Sequence, residues 1–126
     1  MDAAHSPVLP QLLCDIDKTI AADQDAQGAL WRITALPRQL DSNVIRLGPG
    51  AVVDAHDGPD IDVLMLVLDG TGHLLSGETK VPMWQHRLFW LPRLSRREIR
   101  AGEDGLVYLT VHHKREALQV SLPSSA

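Results

Sequence analysis

The chain has 126 residues, 44% hydrophobic and 22% charged, with a formal net charge of -4. That length fits one domain with its own core, and the acidic balance argues against generic attraction to nucleic acid. No apolar run approaches the roughly 18 residues of a membrane span. The single cysteine, Cys14, excludes an internal disulfide, and with no basic-then-apolar leader evident a cytoplasmic setting is the simpler expectation.

In chain order, the first element is expected in PQLLCDIDKTIAADQD. Leu9, Leu12, Leu13, Ile16 and Ile20 fall at helical spacing. This predicts an amphipathic helix of about three turns with Pro10 in its first turn, closed by Gly28. Within it, Asp15, Asp17 and Thr19 match a short aspartyl-phosphatase opening. That chemistry needs a parallel sheet and downstream acids that the rest of the chain does not offer. From Ala29 the texture changes. Short apolar runs alternate with turn signals at residues 36–38, 48–50, 57–59, 69–72, 76–78 and 101–105, the rhythm of an antiparallel sandwich or barrel. Strands are expected at Ala29–Ile33, Asn43–Leu47, Val52–Ala55, Val63–Leu68, Gly72–Leu75, Thr79–Met83, Leu88–Leu91, Arg96–Arg100, Leu106–His113 and Leu118–Leu122. Val63–Leu68 is apolar throughout, which predicts a strand covered on both faces.

The order of these turns resembles the cupin family. Gly50 is followed by five residues and then His56, and Gly70 closes the first motif; Pro92 keeps its place in the second. The resemblance spans roughly residues 39–113. It implies an all-β, cupin-like jelly-roll barrel with a short N-terminal helix. Residues 1–28 are then an N-terminal arm, 29–113 the barrel and 114–126 a C-terminal strand or tail. Because cupins of this size often pair through added strands, it also implies a homodimer.

The resemblance further implies a metal held by three histidines and a glutamate. Here Gly58 stands at the second histidine position, Val63 at the glutamate and Arg97 at the last histidine. Only His56 is left as a candidate metal ligand, whereas a stable transition-metal site needs three or four. A fixed cation at position 97 repels a dication. No metal or other cofactor is therefore expected. His86 and Leu94 take two motif glycine positions, so His86 is expected to adopt a positive φ.

Acids Asp54, Asp57, Asp60 and Asp62 surround His56. Their spacing matches no calcium loop, and Asp57 and Asp60 suit a turn. Arg93, Arg96, Arg97 and Arg100 read as a solvated strand face, except that an inward Arg97 requires an anionic partner or several acceptors. The candidate pocket is His56, Arg97, Val63, Trp90 and His112, with catalytic residues unassigned. Two functions follow. One is a metal-free small-molecule-binding or accessory module. The other is a cupin-type enzyme, an oxygenase or isomerase acting on a small organic acid, using a reduced metal site at His56 or His56 as acid and base.

Overall fold

A period of two in apolar residues needs a partner surface on one side only, and the chain provides two such surfaces facing each other. The computed structural model describes residues 9–115. One helix, α1 (Ile16–Ala21), precedes seven strands: β1 (Gly28–Arg32), β2 (Leu40–Leu47), β3 (Val52–Asp57), β4 (Val63–Ser76), β5 (Thr79–Trp84), β6 (Leu88–Leu91) and β7 (Arg96–His113). All pairings are antiparallel. The order is β1-β2-β7-β4-β5, with β3 added to β7 and β6 to β4.

Two long strands build the barrel. The first half of β4 pairs with β6 and the second half of β7; its second half pairs with β5 and the first half of β7. Residues 69–72 and 101–105, expected as turns, therefore lie inside β4 and β7. The cause is a close crossing. Gly70 has φ +77°, and a Cβ there would stand 2.1 Å from the Gly105 carbonyl oxygen. Glycine lets both strands bend from one sheet to the other, with register shifts at the bend, instead of ending them. The barrel is closed by a core of Val63, Met65, Val67, Met83, Leu91, Ile99, Ala101, Leu106 and Tyr108.

Two further expectations change. The helix has six residues, not three turns. Leu9, Leu12 and Leu13 are exposed, so their helical stripe has no surface to pack on, and an unsupported short helix is marginal. It begins instead where the Asp15 carboxylate accepts from the Lys18 backbone N–H. That capping role also accounts for Asp15 without phosphatase chemistry. Arg46 fastens the end of the arm, donating to the carbonyls of Ile20, Asp23 and Ala26. Second, Val63–Leu68 is not covered on both faces: Val63, Met65 and Val67 are buried, whereas Leu64 is exposed. The outer side of this sheet is unevenly covered: Leu64 is exposed, whereas Val44, opposite Leu109, and Val107 are buried. The segment from Gly28 adds its strand, β1, to the chain's own sheet through β2. The expected strand Leu118–Leu122 lies outside the described residues. Among those residues, no helix is long and apolar enough to cross a membrane.

Candidate functional site

His56 and Arg97 face each other across β3 and β7 as direct register partners. The strands thus bring together the two most informative side chains of the sequence. Their environments differ sharply. His56 is exposed at the rim, its Nδ1 2.9 Å from the Asp54 carbonyl oxygen. Arg97 is only 5% exposed, because β7 turns residues 97, 99 and 101 toward the core. Burial pulls its pKa below the usual arginine value by penalising the charged form.

Glycine at position 58 is what admits this guanidinium. A Cβ on Gly58 would lie 1.6 Å from Arg97 Nη1 and 2.4 Å from its Cζ. The absent side chain and the present cation occupy one volume. Gly58 is itself buried and tied down, donating its N–H to the Ser95 carbonyl oxygen at 2.9 Å. Next to it, Leu94 donates to the Pro59 carbonyl oxygen at 2.8 Å. Leu94 does so at φ 62°, and His86 has φ 75°. Both glycine positions of the motif thus keep a left-handed backbone although neither residue is glycine.

The surrounding charges are already paired. Asp60 meets Arg93, Asp57 meets Arg96, and Glu98 meets Arg100. Asp62 accepts the Arg93 backbone N–H at 2.8 Å. Three of the four acids around His56, Asp57, Asp60 and Asp62, are therefore engaged by arginine side chains or backbone. Of the basic cluster, Arg97 alone has no acidic partner among the described residues. Its Nε and Nη2, and the Ser95 hydroxyl, are buried with no hydrogen-bond partner there. Leaving charged donors in that state costs several kcal/mol in general.

The other predicted pocket residues divide. Val63 and His112 are register partners, with Asp41 opposite His112 on β2. Val63 belongs to the core. His112 is half-buried, its Nδ1 2.8 Å from the His113 carbonyl oxygen. It lines a cleft of about 290 Å³ with Arg32, Arg38, Asp41 and Asn43. Trp90 is a correction: it pairs with Leu64, away from the core, and is 64% exposed. One residue's difference from buried Leu91 sends it to the outer face. Ser95, whose orphaned hydroxyl adjoins the site, was missed; a serine two residues before an inward strand residue is the signal that would have found it.

The metal implied by the fold does not fit these residues. Among the described residues, no group of three or more His, Cys, Asp or Glu is placed to hold an ion. No ligand side chain can stand at position 58 while the Arg97 guanidinium fills that volume.

Neither a protein-family model nor a curated protein matches the sequence. Solved structures do match. A cupin-2 domain protein of Shewanella frigidimarina is 8% identical, with a TM-score of 0.63 over 81% of this chain and 95% of that one. A cupin 2 conserved barrel domain protein of Rhodopseudomonas palustris is 21% identical, with a TM-score of 0.61 over 68% of this chain and 59% of that one. The Schizosaccharomyces pombe Cnp3 cupin domain is 16% identical, with a TM-score of 0.59 over 71% and 61%. The chain thus spans less than two thirds of the latter two. The likeness shows the fold, a cupin jelly roll with one short helix before it.

Proposed function

We propose that this chain is a metal-free binding module whose small-molecule site is the Arg97 end of the barrel, with His56 at its rim. One observation carries this reading. A buried guanidinium occupies the volume of a missing side chain at Gly58, and its Nε and Nη2 lack partners among the described residues. A fold that buries a cation without pairing it gives up stability at that point. Such local cost is characteristic of sites built for a ligand.

The homodimer belongs to the same proposal. Leu64 pairs with Trp90 and Val111, and Leu66 pairs with Leu88 and Leu109. These six form an uncharged patch on the outer side of the sheet, with Leu64, Leu88 and Trp90 exposed. Two copies of an uncharged face meet without like-charge repulsion, and aromatic and aliphatic groups are what dimer cores favour.

The test is elemental analysis of protein incubated with manganese, iron, nickel and zinc salts and then desalted. Substoichiometric metal is expected. Stoichiometric retention that disappears in His56→Ala would defeat the metal-free reading.

A further inference from the structure

We infer that the partner missing from Arg97 is the carboxylate of a small organic monoacid, an assignment that rests on the binding-site reading above. The two orphaned nitrogens are Nε and Nη2. These lie along one edge of the guanidinium, and their N–H bonds run parallel. That edge matches the two oxygens of a carboxylate, which it takes side-on through two charge-assisted hydrogen bonds. The opposite corner, Nη1, is the one set against Gly58. The Gly58 contact therefore fixes which edge is left to bind. The Ser95 hydroxyl, two residues before Arg97, is also buried and unpartnered.

Charge selects the class further. Arg93, Arg96 and Arg100 are each paired with an acid. One uncommitted cation remains among the described residues of this cluster, which balances a monoanion. A phosphate dianion would leave a buried surplus charge and four oxygens facing too few donors. Apolar groups are at hand: Ile99, two residues on from Arg97, is buried like it, and Ile61, in the segment that follows Gly58, packs on the same core. They suit an acid whose remaining portion is apolar.

The three orphaned atoms are sealed from solvent. Binding therefore requires a local opening around Arg97. The neighbouring segment 58–62 is held by two backbone hydrogen bonds, Gly58 to Ser95 and Leu94 to Pro59, by Asp62 on the Arg93 N–H, and by two exposed ion pairs, Asp57 with Arg96 and Asp60 with Arg93. Exposed pairs of this kind contribute little and are screened by salt.

The experiment is a titration of the full chain with acetate, propionate and benzoate, against chloride and inorganic phosphate at matched ionic strength. It is followed by melting temperature and by the Arg97 Nε–H resonance. Carboxylates are expected to raise the melting temperature saturably and to move that resonance; chloride and phosphate are not. Arg97→Met should lose the response. Arg97→Lys, which keeps the charge but not the parallel donors, should bind at least about tenfold more weakly. An equal response to phosphate, or a carboxylate response surviving in Arg97→Met, overturns the assignment. If instead a neutral small molecule binds in an Arg97-dependent way, the carboxylate falls and the binding site stands. If the Arg97 resonance responds to nothing in either set, both fall.

Discussion

Replacing Arg97 by methionine should make the ligand-free protein more stable, the reverse of what most buried substitutions do. Arg97 buries two donors that have no partner among the described residues. Each unsatisfied buried donor costs about 1–3 kcal/mol, and more when charged. Methionine keeps much of the unbranched stem, so the packing lost should stay under about 1.5 kcal/mol. The balance lies near the range of about 1–4 kcal/mol seen when buried ionic groups give way to apolar ones. An unfolding entropy of roughly 2.1 cal/mol/K per residue gives about 260 cal/mol/K for 126 residues. Each kcal/mol therefore moves the melting temperature by about 4 °C. Differential scanning calorimetry at neutral pH, with no organic acid in the buffer, should record a rise of about 4–15 °C. A fall of more than about 4 °C would mean that the guanidinium is well satisfied, and the reasoning from its orphaned nitrogens would fail.

Three further outcomes are expected. Leu94→Gly should stabilise by up to about 1 kcal/mol in thermal melts, since Leu94 is 53% exposed and held at φ 62°, where a side chain is penalised. Burial pushes the Tyr108 phenol above its usual value of 10.0; the folded state then holds this proton more tightly than the unfolded one, so the stabilisation is complete below pH 10 and lost as pH rises through the folded value. Tyr108→Phe should flatten that alkaline decline in melts followed from neutral to high pH. Trp90→Glu, on the uncharged outer patch, should weaken self-association by at least about 30-fold, seen as a monomer mass by sedimentation where the parent chain sediments as a dimer.

Much of the barrel was legible because it follows from local chemistry. Gly50, His56, Gly70 and Pro92 hold the motif frame, and the strand Leu88–Leu91 falls at the expected residues. The positive φ of His86 followed from the glycine it replaces. What was not legible depends on which surfaces meet. A glycine pair in DGTG supports a turn or a bend equally well; the choice was made by Gly105 lying against Gly70 across the barrel. The helical stripe of Leu9, Leu12 and Leu13 could be read, but not that nothing would cover it. The runs through Leu64 and Trp90 gave no parity that separates an outer face from a covered one. At the site, the sequence placed His56 and Arg97 together. It could not reveal that glycine at 58 and arginine at 97 are complementary in volume, because that needs the register of β3 on β7. The same register sets Asp57 opposite Arg96.

The passage of β4 and β7 through both sheets also bears on how this chain comes apart. Neither half of the barrel owns a complete set of strands, since each borrows a segment of the same two ribbons. Melting one half would pull the shared ribbons out of the other. Opening by halves is therefore disfavoured, and denaturation of the barrel should pass through one concerted transition, with amide protons along both ribbons exchanging only when the whole barrel does.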